Sequence, residues 1–191
     1  MKGGRHCIVV IDMLNDFIDP KATLRCPDGE KIVPNIQRLL NFAHGQGINV
    51  VFLQEAHRKN DADFRVRPIN AIKGTWGSDF IEALRPDEEK GDYVVQKRRH
   101  SGFIYTDMDL YLREEKIDTV VVTGCWTNVC VRSTASEALY HAYNVIAISD
   151  GCASATQEMH EAGLRDMSLF AEILTTEQYI REWPQRADAR K

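Results

Sequence analysis

The chain lacks a long apolar run, a dense set of cysteines and a surplus of basic residues. A membrane-spanning helix needs about 18 consecutive apolar residues, and no segment of these 191 residues approaches that length. Five cysteines is an odd number and too few for a disulfide scaffold. The 24 basic and 28 acidic residues give a net charge of −4, which argues against a nucleic-acid-binding surface. We therefore expect a cytoplasmic protein with reduced thiols that binds neither membrane nor nucleic acid.

The apolar residues that are present occur in short runs separated by amphipathic or polar stretches. Val- and Ile-rich runs predict six strands, at residues 7–11, 48–53, 93–95, 119–123, 144–148 and 170–174. Helices are predicted between them, at residues 32–44, 80–84, 107–115, 131–142 and 158–166. Near-continuous apolar strands suit a parallel sheet that is covered on both faces, and strand–helix alternation predicts an α/β fold. We predict one domain over residues 1–183, a polar tail over 184–191, and a functional loop over 56–77.

One cysteine is notable for its position. A β-branched run ends at Gly124, and a short turn then carries Cys130 into the first turn of a predicted helix. The positive end of a helix and its unpaired N–H groups stabilise a thiolate, and they can also hold an oxyanion. The pattern therefore predicts that Cys130 is a nucleophile. Cys125, which we expect to be a buried small hydrophobe, is not at the Cys-x-x-Cys spacing of disulfide exchangers.

Two charged residues come at the ends of predicted strands. Asp12 follows the first apolar run, and Lys97 follows the third. In open α/β sheets the ligand site forms beyond the carboxyl ends of the strands, so Asp12 is placed to accept the proton of the Cys130 thiol. Taken alone, an Asp at a strand end is as often a turn cap, and a Lys there is usually solvated. The coincidence of all three at strand ends is what indicates a site.

Five segments carry a family resemblance, namely residues 12–17, 97–103, 106–110, 124–134 and 150–154. In this order they resemble the isochorismatase-like cysteine hydrolases, a family that includes nicotinamidases, N-carbamoylsarcosine amidases and ureidoacrylate, biuret and triuret hydrolases. The resemblance extends over residues 5–176. It implies a single-domain, three-layer α/β fold with about six mostly parallel strands in the order 3-2-1-4-5-6 and helices on both faces.

The resemblance also implies a mechanism. Asp12, Lys97 and Cys130 would form a catalytic triad, and a cis peptide bond would join Cys125 to Trp126. The N–H groups of Trp126 and Cys130 would form the oxyanion hole. Cys130 would attack an amide or ureido carbonyl to give a thioester, which water activated by Asp12 would hydrolyse. The third strand lies roughly 10 Å from the first in this order, so Lys97 must lean across the strand between them.

Nicotinamidases in this family hold a divalent metal on an Asp-x-His pair and a further histidine. The matching positions here carry Glu55, His57 and Asn70. Losing the third imidazole leaves a weaker, oxygen-biased set of ligands. We therefore expect no metal and no other cofactor, and we interpret Glu55 and His57 as structural. A nicotinamidase-type amidase stays open as an alternative.

The expected substrate is a small linear carbamoyl, ureido or amide compound. The candidates to bind it are Asn15, Phe17, Trp76, Arg98, His100 and Trp126. Arg65 and Arg67 are further candidates, since a guanidinium binds a carboxylate through two hydrogen bonds. The resemblance implies a homo-oligomer, a dimer or tetramer, with a subunit contact over residues 132–143. A thiol redox protein and a noncatalytic binding module on the same fold remain alternatives.

Overall fold

Six strands form one sheet in the computed structural model, which describes residues 5–22 and 24–188. The strands are β1 (His6–Ile11), β2 (Asn49–Glu55), β3 (Tyr93–Lys97), β4 (Thr119–Cys125), β5 (Asn144–Ala153) and β6 (Glu172–Leu174). Their order is β3-β2-β1-β4-β5-β6, and every neighbouring pair within the described ranges is parallel. The predicted fold class and strand order are confirmed.

Helices cover both faces of the sheet. They are α1 (Asn15–Ile18), α2 (Gly29–Gln46), α3 (Met108–Glu114), α4 (Arg132–Tyr140), α5 (Gln157–Met167) and α6 (Thr176–Asp188). Side chains alternate along β1, because Ile8 and Val10 join the core beneath α2 and α6, whereas Val9 and Ile11 join the core beneath α3, α4 and α5. Every residue of β1 and β4 is buried, as expected for central strands covered on both sides. No helix in the described parts of the chain is long and apolar enough to cross a membrane.

The predicted helix at residues 80–84 is wrong. A single 3-10 turn at Glu82–Leu84 is what forms there. Phe80 instead makes an antiparallel bridge with Leu14, and the N–H of Ile81 donates to the carbonyl of Met13 at 3.1 Å. The backbone there is extended because it pairs with the segment that follows β1. A short apolar run fits either structure, and the tertiary partner decides between them.

The sequence analysis missed α6, which passes through the predicted boundary between domain and tail. Its first residue, Thr176, donates its backbone N–H to the Asp150 carboxylate at 2.7 Å. Near its end, buried Arg186 makes a two-pronged contact with Glu172, at 2.6 and 3.1 Å. Pro184 lies inside the helix, and the polar residues after it led to the prediction of a tail. Residues 189–191 of the predicted tail lie outside the described residues.

The long loop after β2 folds back on itself beside the sheet edge. Its two ends meet where the N–H of His57 donates to Ala71 and the N–H of Lys73 donates to His57, at 2.8 and 2.9 Å. Short 3-10 turns at Ala62–Arg65 and Trp76–Ser78 are its regular structure. The loop is thus anchored against the carboxyl end of β2, where the predicted site lies.

Close packing of β4 against β1 requires glycine at position 124. Gly124 has φ of 113°, and an added Cβ would lie 2.2 Å from the carbonyl oxygen of Ile11.

We expect Gly124→Ala to lower the free energy of unfolding by at least about 2 kcal/mol, measured by urea denaturation. The matched control is Gly45→Ala in α2, where an added Cβ meets nothing within 4 Å. That variant should be neutral or more stable by up to about 1 kcal/mol. Equal losses in the two variants would contradict this account of β4.

Candidate active site

The carboxylate of Asp12 is turned toward the end of the neighbouring strand. Asp12 has φ of 53°, and its backbone N–H donates to the carbonyl of Leu53 at 3.1 Å. Its Oδ1 accepts the backbone N–H of Glu55 at 2.9 Å. Both contacts are to β2, so the residue after β1 is held across the end of the adjacent strand. The second carboxylate oxygen then faces β3.

Lys97 reaches that carboxylate from the far side of β2. It pairs in register with Glu55, and its Nζ lies 2.6 Å from Asp12 Oδ2. Both side chains are buried. Burial alone would lower the pKa of Lys97, but the neighbouring Asp12, Cys130 and Glu55 outweigh burial and raise that pKa. The lysine therefore stays charged and leans across the intervening strand, as its sequence position required.

The two carboxylates beside Lys97 have opposite pKa shifts. Burial is the main reason that the pKa of Asp12 rises to about 6, and Lys97 opposes this rise. Burial also acts to raise the pKa of Glu55, but Lys97, His57 and Arg67 together bring it down to about 2. Glu55 is therefore ionised over the whole useful pH range. Asp12 is the carboxyl group of the two that can take up and release a proton near neutral pH.

A π-helical turn at Thr127–Val131 follows β4 and leads into α4. Cys130 lies in this turn. Burial raises the pKa of its thiol well above the usual value, with Lys97 opposing and the charge of Asp12 adding to the rise. The expectation of a thiolate stabilised by the helix end is therefore not met, because burial outweighs the positive neighbours. The resting thiol is protonated, and the Asp12 carboxylate that lines the same cavity is the group placed to remove its proton.

Cys130 and Asp12 line one small cavity of about 220 Å³, and Lys97 is not part of its lining. Its wall is mostly apolar and is formed by Phe17, Leu24, Cys125, Trp126 and Val129. Asp12, Glu55, Arg67, His100 and Cys130 complete its lining. A wider cleft of about 660 Å³ shares Arg67 and His100 with it, so these two side chains belong to both spaces. The arrangement is a small cavity whose lining combines an apolar wall with a group of charged and polar side chains, and it is suited to one small molecule.

The peptide bond between Cys125 and Trp126 is cis, as the resemblance implied. The Trp126 carbonyl accepts the N–H of Val129 at 2.9 Å, which closes the turn. The side chain of Thr127 contacts His160 of α5 at 2.9 Å, so the turn is also held from outside. Trp126 thereby lines the cavity, and its indole Nε1 is buried without a hydrogen-bond partner.

Residues 6–178 match the sequence model of the isochorismatase domain. The chain belongs to the isochorismatase family. An isochorismatase-like hydrolase from Alkaliphilus metalliredigens is 61% identical with a TM-score of 0.91, covering 94% of this chain and 100% of its own. The N-carbamoylsarcosine amidase of Thermoplasma acidophilum is 32% identical with a TM-score of 0.81, covering 93% and 98%. A protein of Arabidopsis thaliana named as a probable inactive nicotinamidase is 35% identical, over 84% of this chain and 86% of its own. The predicted family is confirmed.

Of the predicted substrate-binding residues of this isochorismatase-family chain, Phe17, His100 and Trp126 line the cavity with Cys130. The other three do not line it. They are Asn15, Trp76 and Arg98.

Asn15 is engaged by the loop, since its side-chain amide donates to the carbonyl of Trp76 at 2.8 Å. The side chain of Trp76 is half exposed, at 51%. Arg98 pairs with Asp61 at 3.2 Å and lines a separate cavity. These three residues lie near strand ends or in the loop, but their side chains do not point into the cavity that contains Cys130.

Arg67 lines the cavity, although the sequence analysis gave it no preference over the neighbouring arginines. Arg65 does not line it. No spacing in the sequence separates the two, because Arg65 follows Asp61 by four residues just as Arg67 follows Asp63. The structure separates them, since Arg67 pairs with Asp63 at 3.1 Å. Leu24, Glu55 and Val129 also line the cavity without having been predicted to do so. Their contacts depend on how the loops close over the sheet.

The buried charges predict a large penalty for removing Lys97. In Lys97→Met, the Asp12 and Glu55 carboxylates lose their shared counter-ion, and we expect a loss of about 3–5 kcal/mol in the free energy of unfolding. Without Lys97 the pKa of Asp12 lies above about 6, and protonated Asp12 needs no counter-ion, so the loss should shrink as the pH falls toward about 6 and stay constant below it. Urea denaturation at several pH values measures both effects.

The matched control is Lys90→Met, which breaks an ion pair with Asp87 at 2.8 Å on the exposed surface. That variant should change stability little at any pH. A similar effect of the two substitutions would contradict the buried ion pair as a stabilising requirement.

Proposed function

We propose that this chain is a cysteine-dependent amidohydrolase that cleaves a C–N bond in a small carbamoyl, ureido or amide compound. The observation that carries the proposal is the buried Lys97–Asp12 ion pair, 2.6 Å long, whose carboxylate lines the same cavity as Cys130. A protonated thiol beside a carboxylate with a pKa of about 6 is a nucleophile together with its base.

The proposed reaction uses one carboxyl group for every proton transfer. Asp12 accepts the thiol proton as Cys130 Sγ attacks the carbonyl carbon. The oxyanion accepts hydrogen bonds from the backbone N–H groups of Trp126 and Cys130. Asp12 then returns the proton to the leaving nitrogen, and ammonia or an amine departs from the thioester. Water attacks the thioester while Asp12 takes its proton, and the acid product leaves the thiol restored.

Lys97 acts by keeping the base ionised. Burial raises the pKa of Asp12, and without its cationic partner the carboxylate would be protonated over more of the neutral range. The same charge stabilises the thiolate as it forms, since Lys97 lowers the pKa of Cys130 against the effect of burial. Lys97 is therefore proposed as the third member of the triad and not as a base.

The cavity supports a small linear substrate. A volume of about 220 Å³ holds a molecule of a few heavy atoms and excludes a polypeptide. The N-carbamoylsarcosine amidase with which the chain shares 32% identity is named for a compound of this size class. Phe17 and Trp126 would form the apolar wall against it, and His100 would supply a polar contact.

We also infer that the protein is cytoplasmic and forms a homo-oligomer. All five cysteines are free and buried, which suits a reducing compartment. Tyr140, 79% exposed, and the adjacent Leu139 present apolar surface on the segment expected to form a subunit contact. Light scattering of the purified protein would test the assembly.

Ammonia release tests the nucleophile and the substrate class together. Ureidoacrylate, N-carbamoylsarcosine, biuret, triuret and nicotinamide are the compounds to compare. We expect turnover of a ureido or carbamoyl compound, and a fall of at least about 10³-fold in kcat for Cys130→Ala. Cys152→Ala, which removes a buried thiol outside the cavity, is the control and should retain turnover.

Cys125→Ala separates the hydrolase from a thiol redox protein. A hydrolase needs Cys130 as its nucleophile, whereas a dithiol mechanism would lose activity equally with either cysteine. Turnover that survives in Cys130→Ala would overturn the proposed mechanism.

The pH profile tests the base. Protonated Asp12 cannot accept the thiol proton, so kcat/KM should rise with pH through about 6 and then level off. In Lys97→Gln the midpoint should move to higher pH, because the carboxylate loses the charge that holds its pKa down. An unchanged midpoint in a folded variant would remove Lys97 from the control of Asp12.

A further inference from the structure

An arginine nitrogen lies among three acceptors at the charged end of the cavity. Arg67 Nη2 is 2.5 Å from Glu55 Oε1, 2.6 Å from His57 Nε2 and 3.1 Å from Asp63 Oδ2. The Glu55 and His57 side chains are fully buried, and 18% of the Arg67 side chain is exposed. Glu55 Oε1 and His57 Nε2 are themselves 2.9 Å apart, so the single Arg67 Nη2 atom contacts both.

The acceptors are of the kind that bind divalent transition metals. A carboxylate, an imidazole and a second carboxylate form a nitrogen and oxygen ligand set. His57 Nδ1 faces the Asp61 carboxylate at 3.4 Å, and a proton on that nitrogen leaves the Nε2 lone pair directed at Arg67. A carboxylate behind the imidazole is the usual support of a metal-bound histidine.

The guanidinium occupies the space that a metal ion would need. A divalent ion would have to lie about 2.0–2.2 Å from the same oxygen and nitrogen, and Nη2 is already in contact with both. With Arg67 in place the residues present do not fit a metal. In keeping with this, no group of three or more His, Cys, Asp or Glu residues within the described ranges is arranged to hold one.

Arg67 is held in this position from its own loop. Asp63, four residues earlier, pairs with it, and Glu55 together with Asp63 raises its pKa against the effect of burial. Behind the cluster, Arg98 and Arg99 both pair with Asp61, at 3.2 and 3.1 Å. The positive charge at this end of the cavity is therefore supplied by the chain itself.

We propose that Arg67 is the resident cation of this site, standing where a divalent metal would bind, and that its removal lets Glu55, His57 and Asp63 close around a metal ion that their native arrangement does not hold. Without the guanidinium, Glu55, His57 and Asp63 would surround a gap with an excess of negative charge. Asn70 Oδ1 is also buried without a partner, on the segment that pairs with the backbone of His57. The proposal concerns cation binding and does not depend on the proposed hydrolysis.

Cobalt titration of the chelator-treated protein tests the proposal without any activity measurement. Co²⁺ bound by imidazole and carboxylates gives weak visible bands, whereas binding to a cysteine thiolate gives a strong near-ultraviolet band. The native protein should show no binding that depends on His57. Arg67→Ala should bind one Co²⁺ at least roughly 100-fold more tightly than the native protein, and saturating Co²⁺ should raise its Tm.

Three variants separate the metal site from other effects. Arg67→Ala combined with His57→Ala should lose the gained binding, because an essential ligand is removed. Arg67→Lys should gain no site, since it keeps a cation in place. Arg98→Ala is the matched control, because it removes an arginine that pairs with Asp61 but does not contact Glu55 or His57.

Either of two results would overturn the proposal. One is folded Arg67→Ala that binds Co²⁺ no better than the native protein. The other is native protein that binds Co²⁺ and loses it in His57→Ala, because a metal would then displace the arginine. If Arg67→Ala fails to fold even with Co²⁺, this native comparison decides alone, and the absence of binding that depends on His57 supports the proposal.

Discussion

The buried ion pair between Lys97 and Asp12 is the interaction on which the rest of the site depends. Two charged groups lose their hydration at the end of the sheet, which is costly unless each finds its partner at short range. The contact of 2.6 Å crosses the end of β2, because Asp12 follows β1 and Lys97 ends β3. Glu55, at the end of β2, adds a second carboxylate, and the cluster then needs a second cation. Arg67 meets that need from the loop.

Burial also decides how the cysteine can react. A cysteine near a helix end is commonly expected to ionise readily, but the Cys130 thiol is enclosed and its pKa is raised. In the proposed reaction, a neutral thiol beside a carboxylate of pKa about 6 makes nucleophile formation depend on proton transfer within the cavity. The apolar wall of Phe17 and Trp126 strengthens this dependence, because it lowers the local dielectric constant.

The cavity is lined partly by residues at strand ends and in the turn after β4, and partly by a residue of the loop after β2. The strand ends and the π-helical turn bring Asp12, Lys97 and Cys130 together through the parallel sheet. The loop over residues 56–77 brings Arg67 against Glu55 and His57. The chemistry of the site thus comes from regular structure, and the environment of the bound molecule comes from the loop.

Much of this protein could be predicted from the sequence because the relevant signals are local. Apolar runs separated by helices specify a parallel sheet, and a charged residue directly after such a run must lie at the sheet edge, as Asp12 and Lys97 do. Whether a given side chain points into the cavity or away from it could not be predicted in this way. Arg67 and Arg98 are both loop or strand-end arginines, yet one contacts Glu55 and the other pairs with Asp61.

The same distinction explains the errors in secondary structure and in the charge state of the thiol. Phe80 is extended because it pairs with Leu14, and α6 is held by contacts to Asp150 and Glu172 far away in the sequence. By itself the sequence determined the sheet, the strand ends and the residue types that meet there, because these follow from periodicity along the chain. Only the tertiary structure decided which charges are buried together and which protons they hold, because burial and partner distance are properties of the folded chain.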